Sequence, residues 1–369
     1  VSAVSAYFND GDPIFGASKL PRGSVGAAVD LTTSQLPSHI PGNDAARKVI
    51  LNAEQRFAEI ASLYKDKLVT TTLKTKLTGD FTSDLRAVNE LRDDSIDLTS
   101  EKLKRILDKA KKQNPLLNSI DIDRFIALHE QIAINVSELM VKDKPPYAHL
   151  RKDGKRHVIA HPLDVMLLCV EAAIPNCQSV EQLEAVMMVS TLHDSMEDCK
   201  KGHEFAERRI SNVLAENDIT PVLAESVLKQ VQILTIKHGK SSNASVDTQT
   251  QTFDPNPWVR KIAGYEYLLR GNHEVVNEYI QSLRIKGADC LVNSIDLIER
   301  LTAADKADKP ELVRQILAAS QGYEFLCQGL LEKGHSFLAE SYQVAKHALE
   351  MNQCILALYP DTAPLIIIQ

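Results

Sequence analysis

The sequence predicts an all-α fold, and three observations carry that prediction. Apolar residues recur at three- and four-residue spacing over long segments. Strict alternation of apolar and polar residues, the mark of a half-buried strand, is rare. The segments are separated by short stretches that combine Gly, Pro, Asp and Ser with helix-capping signals. At 369 residues the chain has the length of roughly two ordinary domains.

Residues 1–45 are rich in Gly, Pro, Ser and Asp and hold no sustained period, so they read as an irregular N-terminal arm. A helical pattern runs from Ala45 to Leu63, with Ile50, Ala53, Phe57, Ile60 and Ala61 near one face. Helical segments follow at 83–92, 100–113 and 121–141, making 46–141 an N-terminal helical region. Ser100, ahead of Glu101 and Leu103, reads as a helix start, and Asp121 and Asp123 as caps. Residues 142–160 break the pattern with Pro145, Pro146, Gly154 and a basic cluster. His161-Pro162-Leu163-Asp164 then opens a helix to Ala173; a proline in the first turn sacrifices an N–H that has no helical partner anyway. Helices are predicted at 179–194, 203–215 and 222–237. Residues 238–257 are polar and of low complexity, too poor in apolar area to order themselves, and are predicted to be a mobile loop. Helices resume at 258–270 and 272–300, and those at 310–333 and 335–357 form a C-terminal helical extension over 301–369. There is no internal repeat.

Lys and Arg total 42 against 49 Asp and Glu, a formal charge of −7. An acidic chain lacks the electrostatic footprint of a nucleic-acid binder, although a local basic pocket for a small anion is compatible with it. No apolar run approaches the ~20 residues that span a bilayer. Neither nucleic acid nor a membrane is therefore an expected partner. The chain opens at Val1 without an initiator Met, which reads as a trimmed or processed product, and its start shows no basic stretch followed by an apolar one. Cys169, Cys177, Cys199, Cys290, Cys327 and Cys354 include no CxxC pair and sit in helix-like surroundings. They predict reduced thiols in a cytoplasmic protein rather than a disulfide framework or a zinc ribbon.

The chemistry concentrates in Leu192-His193-Asp194-Ser195-Met196-Glu197-Asp198. If the apolar helix before it runs on, Glu197 lies one turn beyond His193 and Asp198 one turn beyond Asp194. One imidazole and three carboxylates then face a common volume, and that many acids together call for a compensating cation. His161 upstream and Asp289 in Lys286-Gly287-Ala288-Asp289 complete a His2Asp2 donor set. Mixed nitrogen and oxygen donors suit Mn, Fe or Zn better than Ca, and better than Mg in most contexts. Ser195 is no triad nucleophile, because sequence neighbours on a helix do not face each other. Trp258, Met187 and Met188 read as core residues.

An ordered series surrounds this set: Arg151-Lys152-Asp153-Gly154, His161-Pro162, Leu192 to Asp198, Leu234-Thr235-Ile236-Lys237, Trp258-Val259-Arg260-Lys261 with Tyr265, and Lys286 to Asn293. In that order, between His149 and Ile298, the chain resembles the HD-domain hydrolases of the RelA/SpoT alarmone family, including the small alarmone hydrolases. The resemblance implies an HD helical bundle over 142–300, with additional N- and C-terminal helices. It implies that His161, His193, Asp194 and Asp289 hold a divalent metal, usually Mn2+, and that Glu197 and Asp198 orient or deprotonate the attacking water. It implies that Arg151 and Lys152 meet the nucleotide, Asn293 the ribose or phosphate region, and Arg260, Lys261 and Tyr265 the phosphates. The implied reaction removes pyrophosphate from the 3′ position of (p)ppGpp, giving GDP or GTP.

The sequence departs from the family pattern in two places. Gly154-Lys155-Arg156-His157-Val158-Ile159-Ala160-His161-Pro162 stands where the family has Gly-Glu-Pro-Tyr-Ile-x-His-Pro. Cys290 and Val292 replace a basic residue and a His after the last Asp. The donor set is kept while the nucleotide pocket changes. Lys155 and Arg156 read either as replacement positive charge or as a solvated loop. The alternatives are therefore another nucleotide such as (p)ppApp, or a catalytically inactive nucleotide-binding scaffold. A homo-oligomer is left open. The last 70 residues lack the Gly-rich and strand signals of a synthetase domain.

Overall fold

The computed structural model describes residues 44–141, 144–199, 201–235, 265, 268–269, 276–305, 308–333 and 339–358. The arm before Asp44, the predicted loop at 238–257, Trp258, Arg260 and Lys261 lie outside them. The fold is all-α: among the described residues every regular element is a helix, and the one strand-like pairing is an isolated bridge between Leu150 and His157. No helix among them is long and apolar enough to cross a membrane. All six cysteines are buried thiols, none in a disulfide.

Helix α1 spans Asp44–Tyr64 and α2 spans Phe81–Gln113. Asp80 caps α2 by accepting from the Ser83 amide at 2.8 Å. Ser100 lies inside α2 and starts no helix; its hydroxyl donates to Glu130 at 2.8 Å. The polar stretch that looked like a gap is tolerated because Ser95 and Thr99 donate back to the carbonyls of Leu91 and Ser95, both at 2.7 Å. Asp121 caps α3 (Ile122–Val141) by accepting from the Arg124 amide at 3.1 Å, as its position in the sequence suggests, and Asp123 falls in the first turn.

The central pair is α4 (Ala160–Ala173) and α5 (Val180–Leu192). Both are buried around almost their whole circumference, the pattern of helices enclosed by others. Ser179 caps α5 through the Gln182 amide. The one-turn α6 (Ser195–Asp198), α7 (His203–Glu216) and α8 (Pro221–Leu234) follow, the last with Thr220 as cap and Pro221 in its first turn. Beyond them come α9 (Val276–Ala303), α10 (Lys309–Lys333) and α11 (Ala339–Leu358). Helix α4 packs on α2, α5 and α9, whereas α5 packs on α3, α4 and α8. Helices α9, α10 and α11 pack on one another, and α1 lies along α11. One apolar cluster draws residues from Ala53 through Leu358. Within it Leu163 and Met166 of α4 are fully buried, and truncating either to Ala costs about 2–5 kcal/mol.

Candidate metal centre

Three segments far apart in the chain deliver the donors. His161 is in the first turn of α4, His193 and Asp194 form the link between α5 and α6, and Asp289 lies in the middle of α9. The predicted unbroken helix through 194 is corrected here: α5 ends at Leu192, and Asp194 turns to φ −94 and ψ −7. The Ser195 hydroxyl donates to the Leu192 carbonyl at 2.5 Å, which helps hold the turn. The Asp198 amide still donates to the Asp194 carbonyl at 2.9 Å, so one helical turn keeps the two carboxylates adjacent.

One donor atom from each of His161, His193, Asp194 and Asp289 lies within 4.8 Å of the others. Ligands at about 2.0–2.2 Å from one ion stand at most about 4.4 Å apart, so the set closes on a cation with small side-chain shifts. His161 Nε2 is 3.1 Å from Asp289 Oδ1 and 3.4 Å from Asp194 Oδ2. His193 Nε2 is 3.2 Å from Asp194 Oδ1 and 3.9 Å from Asp289 Oδ1. Both imidazoles and Asp289 are buried, whereas Asp194 is 26% exposed and marks the mouth.

The two histidines are not equivalent. His193 Nδ1 donates to the Ser190 carbonyl at 2.7 Å, which turns Nε2 into the centre. That buried Nε2 has no hydrogen-bond partner among the described residues. Burial disfavours its charge, but the facing Asp194 carboxylate outweighs burial and raises the His193 pKa to about 9. His161 lies at the other extreme. Burial first, and the Arg151 charge second, lower its pKa to about 4, and its Nδ1 has no hydrogen-bond partner among the described residues. Asp194 is held below the usual carboxylate range by His193 despite burial. Asp289 is likewise held low against burial, chiefly by Lys286, whose Nζ lies 2.5 Å from Oδ2. An orphaned imidazole nitrogen aimed at two ionised carboxylates fits a divalent cation.

Glu197 and Asp198 follow on α6, Glu197 half-buried and Asp198 exposed at the rim. Desolvation, then repulsion from Asp194 and Glu197, pushes Asp198 up to about 6. The predicted nucleotide contacts are placed differently from one another. Lys152 is exposed and Lys155 half-buried. The Arg151 guanidinium is bonded to Asp296 of α9, and burial together with Arg156 lowers its pKa to about 10. Arg156, read as replacement charge or a solvated loop, is neither. It is buried, bonded to Asp296, and lies 2.8 Å from Asp153, 3.2 Å from Glu299 and 3.8 Å from Asp164. Asn293 donates to Asp289 Oδ1 at 2.5 Å. Tyr265 is buried with its hydroxyl 3.6 Å from Cys290 Sγ. Arg260 and Lys261 lie outside the described residues.

Sequence reading missed Lys286 and Asp296. An opposite charge three residues before Asp289 was the available signal for Lys286. Asp296 had none, because its partners Arg151 and Arg156 are 145 and 140 residues away. Compared with protein-family models, curated proteins and solved structures, the chain gives no match.

Proposed function

We propose that this chain is a metal-dependent nucleotide 3′-pyrophosphohydrolase that uses Mn2+ and acts on (p)ppGpp in the cytoplasm. The observation that carries the reading is the convergence of His161, His193, Asp194 and Asp289 on one volume from three distant segments. Those four residues would hold the ion. When bound, it would supply Lewis acidity and a water acidified toward neutrality. Asp198, with its pKa near 6, is suited to take a proton from that water at neutral pH, with Glu197 beside it. In the net reaction the water oxygen joins the pyrophosphoryl phosphorus, the bond to the 3′ oxygen breaks, and that oxygen ends protonated. Lys152 and Lys155 are further basic groups of the 151–157 loop and are suited by their charge to the phosphates.

One observation favours a second reading of the substrate. Arg151 and Asn293, which the resemblance assigns to the nucleotide, are engaged with Asp296 and Asp289. A base other than guanine, as in (p)ppApp, is the alternative that this arrangement supports. The deciding experiment incubates the protein with Mn2+ and ppGpp or ppApp and separates the products. Release of intact pyrophosphate supports the proposal, and the preferred base selects between the two readings. Stepwise release of single phosphates, or no turnover of either, would overturn it.

A further inference from the structure

Lys286 stands where the proposed site needs no charge of its own sign. A cation beside a cation site weakens binding unless it does something else there. Its Nζ sits 2.5 Å from Asp289 Oδ2, which takes that oxygen out of the centre. The other oxygen, Oδ1, faces His161 Nε2 at 3.1 Å and His193 Nε2 at 3.9 Å, and is steadied by Asn293 at 2.5 Å. Asp194 differs: its Oδ1 lies near His193 and its Oδ2 near His161, so both oxygens border the centre. Lys286 is itself held in place. Its ammonium lies 5.7 Å from the centre of the Tyr265 ring, within cation–π range. That ring is backed by α10 at Gly322, where a Cβ would fall 2.9 Å from Tyr265 Cε2, so glycine allows the approach.

We propose that Lys286 is a positioning and specificity residue that locks Asp289 as a one-oxygen ligand and so discriminates against Ca2+. The proposal rests on the metal reading above. Ca2+ seeks six to eight oxygens and readily takes both oxygens of a carboxylate. Transition-metal ions accept fewer ligands and mixed nitrogen and oxygen. With one Asp289 oxygen withheld and two imidazoles in the set, the centre offers Ca2+ too few oxygens while leaving an Mn2+-class ion its donors. Removing the ammonium returns Oδ2 to the centre and makes it more anionic, and the oxygen-seeking ion gains most.

The test is calorimetric titration of the full chain with MnCl2 and with CaCl2. The wild type is expected to bind Mn2+ well above Ca2+. In Lys286→Met the Mn2+/Ca2+ affinity ratio falls about tenfold or more, through a gain in Ca2+ affinity. Lys286→Arg, which keeps a donor and a charge, retains most of the wild-type ratio. If Lys286→Met does not fold, Lys286→Gln is read the same way. A merely structural role weakens both ions in parallel; a ratio unchanged within about threefold overturns the proposal while leaving the metal site standing. A wild type that binds no Mn2+ overturns both.

Discussion

Two buried polar clusters lie two turns apart on α9, one at Asp289 and one at Asp296, and they are built in opposite ways. Around Asp296 the buried cations are bonded to carboxylates. Arg151 and Arg156 meet Asp296, Asp153, Glu299 and, at the edge of reach, Asp164. Asp164 also accepts from the Val69 amide at 2.5 Å. The network ties the 151–157 loop, α4 and the segment after α1 to α9. Around Asp289 it is the hydrogen-bond pairing that is left open. Two carboxylates, two imidazoles and one ammonium share a small volume, and among the described residues buried nitrogens of both histidines lack hydrogen-bond partners. A network whose buried cations are bonded keeps a shape, whereas unpartnered buried imidazole nitrogens beside carboxylates are suited to a ligand.

The sharpest way to break this contrast is to remove a donor. Asp194→Ala is expected to abolish Mn2+ binding in calorimetry and to cut turnover by about 10^3-fold or more. Glu197→Ala combined with Asp198→Ala should abolish turnover but leave Mn2+ bound, separating acid–base work from ligation. Normal turnover by the double variant would remove these two residues from the chemistry.

The second cluster should respond in the opposite currency. Arg156→Met takes the guanidinium away from four carboxylates, Asp153, Asp164, Asp296 and Glu299, and is expected to cost about 3–5 kcal/mol in urea unfolding, since it breaks a buried ion network from one side. Mn2+ bound per folded molecule should stay at the wild-type value. If metal is lost as well, the two clusters are one unit and the contrast fails.

Smaller effects concern protons. His193, raised to about 9, carries a proton at neutral pH when no metal is bound. A ligating imidazole is neutral, so binding must expel that proton. About one proton should be released per ion at pH 7–8, read from calorimetry in buffers of different ionisation heat, and affinity should rise with pH up to about 9. Zero release would contradict this charge assignment. His129 of α3 offers a control without acids. It is fully buried, neither ring nitrogen has a partner among the described residues, and burial lowers its pKa to about 4. The unfolded chain takes up this proton near pH 6.5 and the folded chain only near 4. Its contribution to stability is therefore complete above pH 6.5 and is lost as pH falls toward 4, by at most about 1.4 kcal/mol per pH unit. His129→Met should flatten the stability profile in that window.

Much of this contrast was legible in the sequence, but unevenly. Local signals served well: Asp121 and Pro162 sit where capping and first-turn rules place them. The donor set was legible because its residue types are rare together and each brings its own chemistry. Helix continuity was harder to read in both directions. Ser100 resembles a cap, but its hydroxyl finds Glu130 on another helix, while His193–Asp194 looks helical but forms a turn. The roles of Arg151 and Arg156 were illegible for a simpler reason: both meet Asp296 on α9, and no local pattern announces a partner so distant.

The pairing of α1 with α11 carries a consequence for how the chain is made. Tyr64 Oη and His347 Nδ1 meet at 2.7 Å across 283 residues, and Arg56 reaches Glu350 at 2.6 Å. At about 5–20 residues per second, α1 waits roughly 15–60 s after synthesis for the surface it covers. Until then its apolar side, with Phe57 and Ile60, is open to chaperones or to a neighbouring nascent chain. Docking of this first helix is therefore a late event of biogenesis.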